Sequence, residues 1–147
     1  MSDELRFRNP DILQELPFRK WMRNNLPHPK EGMVVEDLDV VLRVYGEKFN
    51  TDDDGKFMLV ELKKYSAYIG HAQWMTYGLI NRLLVSSLES YRYQGYYVVQ
   101  YTVDNWDVSQ FWINKERIYL PEFKEFLKFN IPQGVPRFPP RPPKKTF

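Results

Sequence analysis

The chain has no cysteine, and its 147 residues carry a net charge of only +2. Without cysteine there is neither a disulfide framework nor a thiolate metal site, and no redox compartment can be inferred. The near balance of charge excludes the global basic field that marks many nucleic-acid binders, so any binding of that kind has to be a local patch. Long apolar runs are missing too: no stretch reaches the roughly 20 apolar residues that span a bilayer, and the charged start Met1-Ser2-Asp3-Glu4-Leu5-Arg6 lacks the apolar core of a leader. A soluble, cytoplasmic protein with no membrane partner is the expectation. Aromatic residues, by contrast, are plentiful. Ten Tyr, ten Phe and four Trp, within a 43% apolar composition, argue against wholesale disorder and supply enough material for one core.

Hydrophobic periodicity predicts a helix over Asp11 to Asn25, carried by Ile12, Leu16, Trp21 and Met22, with Pro17 either opening or kinking it. Two strands follow, Leu38 to Arg43 and Lys56 to Lys63, joined by an acidic loop whose Asp54-Gly55 is a hairpin signal. Tyr65 to Leu88 reads as a long helix and Tyr96 to Val103 as a buried strand. Ser109 to Ile113 and Arg117 to Leu120 read as a short hairpin, and a closing helix follows Pro121. From Ile131 the composition turns to Pro, Arg and Lys. The expected organisation is a single α/β domain over 1–130 and an extended tail over 131–147. That tail reads as solvated, or as a strand-like arm docked on the body. Its Arg137-Phe138-Pro139-Pro140-Arg141-Pro142-Pro143 fits an SH3-ligand pattern, and Arg137, Arg141, Lys144 and Lys145 offer contacts to phosphates.

Side chains alternate faces along a strand, so Glu61 and Lys63 project to one side, and pairing of the two strands brings Asp39 to them. Two carboxylates and an ammonium on mostly apolar strands are costly unless they are paired or bind a metal. Asp37 shares a strand face with Asp39, and Glu15 is a further candidate from the first helix. An acidic residue on one strand, Glu-x-Lys on the next and then a helix carrying Gln73-Trp74-Met75-Thr76-Tyr77 resembles the active-site pattern of the PD-(D/E)XK nuclease superfamily. The Gln-x-x-x-Tyr element is similar to that of its RecB-like branch. The resemblance covers Asp39 to Tyr77. It implies a mixed central β-sheet flanked by helices, with a restriction-endonuclease-like core. It also implies a metal-dependent nuclease acting on nucleic acid, DNA before RNA, with Mg²⁺ or Mn²⁺ held by Asp39, Glu61 and the backbone carbonyl of Leu62. On the same resemblance Lys63 orients or helps deprotonate the attacking water, and Gln73 and Tyr77 hold Lys63 or contact the backbone phosphate. A homodimer, with two sites addressing two strands, is an assembly the resemblance allows.

Two other readings compete. Asn50 to Glu61 nearly fits the twelve-residue EF-hand loop, with oxygen donors at its first, third and fifth positions, Gly55 at the sixth and Glu61 at the twelfth, which would make Glu61 a calcium ligand. Against it, Phe57 to Leu62 is a continuous apolar run suited to a strand, where an EF-hand needs a helix. The second alternative is a catalytically inactive nucleic-acid-binding member of the same fold.

Overall fold

The computed structural model describes residues 17–34 and 36–141. The chain divides into two units, Met1–Val35 and Glu36–Phe147. In the first, α1 (Pro17–Asn25) is followed by a 3₁₀ turn at Pro29–Glu31. Pro17 occupies the first position of α1, where its missing N–H removes no helical bond. Asp11, Glu15 and the rest of the helix expected before Pro17 lie outside the described residues. One turn apart on α1, Phe18 and Trp21 stack with centroids 6.2 Å apart.

The second unit is built on a five-stranded mixed sheet whose strands lie side by side in chain order: β1 (Val40–Val44), β2 (Lys56–Lys64), β3 (Tyr93–Tyr101), β4 (Phe111–Ile113) and β5 (Glu116–Ile118). β2 runs antiparallel to β1 and parallel to β3, while β3, β4 and β5 alternate. A parallel neighbour cannot be reached through a tight turn, so the chain crosses from β2 to β3 by way of α2 (His71–Val85). A short helix, α3 (Leu120–Leu127), follows the last strand. Because β2 and β3 are covered on both faces, their sequences read as near-continuous apolar runs rather than as alternations.

The pleat sends successive residues into separate cores. Met58, Val60, Tyr97 and Val99 face Phe123 and Phe126 of α3, and Phe111 stacks on Phe123 with centroids 4.4 Å apart. On the opposite face Leu59, Tyr96 and Val98 pack with Tyr77, Trp74 and Ile80 of α2. Glu61 and Lys63 belong to this second face by alternation.

Several expected boundaries move by a few residues, and two of the shifts shape the site-bearing face. Periodicity carries a helix from Tyr65, but α2 begins only at His71. The Tyr65 N–H donates to the Tyr101 carbonyl at 2.8 Å and so prolongs the sheet, and Gly70 is extended at φ −67°, ψ 160°. β3 starts at Tyr93 rather than Tyr96 and passes through Gly95, whose φ of +135° suits glycine; a Cβ there would lie 2.7 Å from the Arg137 carbonyl.

That carbonyl belongs to the proline-rich segment, which is docked on the body as far as Arg141. It accepts the Tyr96 N–H at 2.8 Å, the Arg137 guanidinium donates to the carbonyls of Gln94 (3.0 Å) and Tyr93, and Phe138 meets Trp74 and Tyr96 edge-on. Arg137 and Phe138 of the SH3-ligand pattern are thus engaged by the chain itself, and Pro142 and Pro143 lie outside the described residues. β4 is too short to cover the start of β3, and the tail takes its place along that edge. Asn114 joins the two coverings: its Oδ1 accepts the Val98 N–H at 2.8 Å, and its Nδ2 donates to the carbonyls of Tyr96 (3.1 Å) and Pro136 (2.6 Å). Among the described residues, no helix is long and apolar enough to cross a membrane.

Asn114 is 1% exposed, so replacing it strands backbone groups that water cannot readily reach. Asn114→Ala is expected to lower unfolding stability by about 2–4 kcal/mol in urea titrations. A loss under about 1 kcal/mol would contradict the bridging role.

Candidate functional site

The antiparallel register that sets Val40 opposite Val60 carries Asp39, one residue before β1, opposite Glu61. The two acids bond reciprocally through the backbone. The Asp39 N–H donates to Glu61 Oε1 at 3.1 Å, and the Leu62 N–H donates to Asp39 Oδ2 at 2.9 Å. In an antiparallel pair a residue's N–H and C=O point to the same side, so the Leu62 carbonyl leaves β2 on the side of β1, as its N–H does. Glu61 is only 3% exposed. The Tyr96 hydroxyl lies 3.5 Å from its Oε1, and the Tyr77 hydroxyl also hydrogen-bonds the carboxylate. The rings of Tyr77 and Tyr96 stack at 4.9 Å, so α2 and β3 together hold both hydroxyls on Glu61.

Burial, and then the neighbouring Asp39 charge, push the Glu61 carboxyl up to about 7 from 4.5. Both tyrosine hydroxyls are pushed above their ordinary value, first by burial and then by the charge on Glu61, so they remain protonated donors at neutral pH. A buried Glu61 carboxyl whose ionisation the Asp39 charge opposes forms, together with Asp39, a donor set suited to a hard cation. Among the described residues, no group of three or more His, Cys, Asp and Glu side chains is arranged to hold a metal. Asp39, Glu61 and the Leu62 carbonyl are the groups here that could hold an ion such as Mg²⁺, which takes one or two carboxylates and keeps several waters.

The other expected residues fall in different places. Lys63 is half-buried on the same face as Glu61, and Glu36 is a charge close to it: burial raises the Glu36 carboxyl while the Lys63 ammonium pulls it back down. Gln73 does not hold Lys63 with its carbonyl, because Oε1 accepts the Gly70 N–H at 3.2 Å and caps α2. Tyr77 is directed at Glu61. Asp37 is exposed, and Glu15 lies outside the described residues. Periodicity gives no hint of Glu36, since it lies in the irregular stretch before β1. Gln100, the cross-strand partner of Lys63 and itself 3% exposed, was a missed signal. A polar residue inside so apolar a strand calls for a reason.

The acidic loop is occupied with a different cation. Asp52 accepts both terminal nitrogens of Arg92, at 2.5 and 2.7 Å, together with the Gly55 N–H at 2.9 Å. Arg43 donates to the carbonyls of Asp53 and Asp54, each at 3.1 Å. The segment that leaves the loop is β2, where the calcium reading requires a helix.

The raised Glu61 value fixes a sign. Below the unfolded value of 4.5 both states are protonated, and as pH rises toward about 7 the unfolded chain gives up a proton that the folded one retains. Stability from this group is therefore full below that window and lost across it, by as much as about 3 kcal/mol without metal. Glu61→Gln should flatten the loss, so that in urea titrations with chelator the variant exceeds the parent at about pH 8 and matches it at about pH 5. Parallel pH profiles for the two proteins would refute the assignment. No family model, curated protein or solved structure matches the chain.

Proposed function

We propose that this protein is a metal-dependent nuclease that hydrolyses phosphodiester bonds of nucleic acid, DNA before RNA, on a restriction-endonuclease-like core. The observation that carries this reading is the pairing of Asp39 with Glu61 across β1 and β2, with Lys63 one pleat further along the same face. The strand order supports it too: an acidic residue leads into a strand antiparallel to the Glu-x-Lys strand, and a helix then crosses to a parallel neighbour.

Asp39 and Glu61 would hold Mg²⁺ or Mn²⁺ with the Leu62 carbonyl, and the bound ion would supply charge neutralisation at the phosphoryl oxygens and a more acidic water. The remaining chemistry belongs to the side chains. Tyr77 and Tyr96 keep Glu61 oriented by donating to it, and their raised pKa values prevent them from adding a further negative charge. Lys63 presents an ammonium beside the carboxylates, positioned to orient the attacking water and to stabilise charge that develops on the phosphoryl group. Glu36 balances that ammonium in the resting protein.

The calcium reading is set aside because Arg92 occupies the loop oxygens it needs. Cleavage of linear, single-stranded and branched DNA with Mg²⁺ or Mn²⁺ is the deciding assay. Asp39→Ala and Lys63→Ala are each expected to lower the rate at least about 100-fold while melting remains cooperative. Full activity in Lys63→Ala would sink the nuclease assignment. Salt-sensitive binding with no strand scission by any metal would leave a silent binder of the same fold.

A further inference from the structure

Cross-strand partners stand on the same face of a sheet, so the register defines a row that leaves the candidate site sideways. Lys63 on β2 faces Gln100 on β3, Gln100 faces Trp112 on β4, and Trp112 faces Arg117 on β5. Three inter-strand steps make the row roughly 14 Å long. Its outer part is a stack of flat groups. Tyr65, the next residue after Lys63 on the same face, packs against Trp112 with centroids 4.1 Å apart, and the Arg117 guanidinium lies 5.0 Å from the Trp112 ring and 4.8 Å from the Tyr119 ring. Arg117 is further fixed by donating to the Phe111 carbonyl at 3.1 Å. Tyr65 and Tyr119, at the two ends of the stack, are 54% and 61% exposed. Among the described residues, neither Lys63 nor Arg117 has a carboxylate within ion-pair distance.

We infer that the stack of Tyr119, Arg117, Trp112 and Tyr65 along this row, with Gln100 buried beside it, is the binding track for an unpaired nucleic-acid strand leading to Lys63 and the Asp39–Glu61 pair. The inference rests on the proposed nuclease reading for its destination and on the sheet register for its path. A duplex hides its bases and needs only cations along its phosphates, whereas a fixed stack that surrounds one guanidinium and ends in the exposed rings of Tyr65 and Tyr119 is of use to bases that are free to stack. The positive charge matches a phosphate chain: Arg117 stands at the outer end with no carboxylate in ion-pair distance, and Lys63, whose ammonium feels Glu36 in the resting protein, stands at the site end. The net charge of the chain is too small for a general attraction to duplexes, so this local strip has to provide the contact.

Fluorescence anisotropy with chelator present tests binding apart from cleavage. The probes are labelled oligo(dT) and oligo(U) of about 16 nucleotides and a DNA duplex of equal length. The intact chain is expected to bind a single strand more tightly than the duplex, with the oligo(dT) and oligo(U) arms telling DNA from RNA. Tyr119→Ala combined with Arg117→Ala, both exposed positions, should weaken single-strand binding about tenfold or more. Lys124→Ala, an exposed basic residue on α3, should leave it unchanged. Trp112→Phe, which keeps a ring, should bind better than Trp112→Leu, and circular dichroism checks that each variant is folded. Equal affinity for duplex and single strand, or unchanged binding in the double variant, overturns the track. Tight single-strand binding through these residues without cleavage would retire the nuclease reading and leave the track standing. Cleavage with the double variant binding as the parent does would retire the track alone.

Discussion

The pairing of β1 with β2 is the constraint on which the site depends. It is enforced from the other side of the sheet. Val40 and Leu42 turn toward the core under α3, while Asp39, Val41 and Arg43 point the opposite way. A slip of one residue would expose the apolar set and bury Val41 and Arg43, and it would also remove Asp39 from Glu61. Hydrophobic burial on one face thereby fixes polar geometry on the other. The reciprocal bonds between Asp39, Glu61 and Leu62 then close the end of the ladder where β1 stops.

Glu61 is an expensive residue in this position. It is buried, faces a second carboxylate and cannot be ionised at neutral pH without destabilising the metal-free fold. Sites that break the local rules of burial in this way are where function is most often found, because a structural role would be filled more cheaply by an apolar side chain. The surroundings reduce the cost without abolishing it. Tyr77 and Tyr96 donate to the carboxylate, and Phe138 from the tail packs edge-on to Tyr96. The tail therefore belongs to the wall behind the site as well as to the edge of the sheet.

Elements whose pattern is local were readable in the chain. β2 is a long, mostly apolar run, the β4–β5 hairpin has a polar turn at Asn114-Lys115, and α3 carries Pro121 in its first turn with Phe123 and Phe126 at helical spacing. The start of α2 was not readable, because Tyr65 to Ile69 carries apolar residues that suit a helix as well as the extension that the Tyr101 carbonyl selects. The candidate site divides in the same way. Asp39, Glu61 and Lys63 follow from strand periodicity, and Tyr77 from its place on the helix. The actual partner of Gln73 and the approach of Glu36 to Lys63 depend on distances that no spacing encodes.

By itself the sequence determined the acidic and basic residues at two-residue spacing, the apolar strands that carry them, and the proline-rich composition of the end, because alternation and backbone propensity act within a few residues. Tertiary structure alone decided the rest. It gave Asp52 to Arg92 instead of to a metal loop, docked Arg137 and Phe138 on β3, and lined up Lys63, Gln100, Trp112 and Arg117 in one row. The physical reason is common to all three. Each brings together segments distant in sequence, and their relative placement is set by the joint burial of many side chains rather than by any one segment.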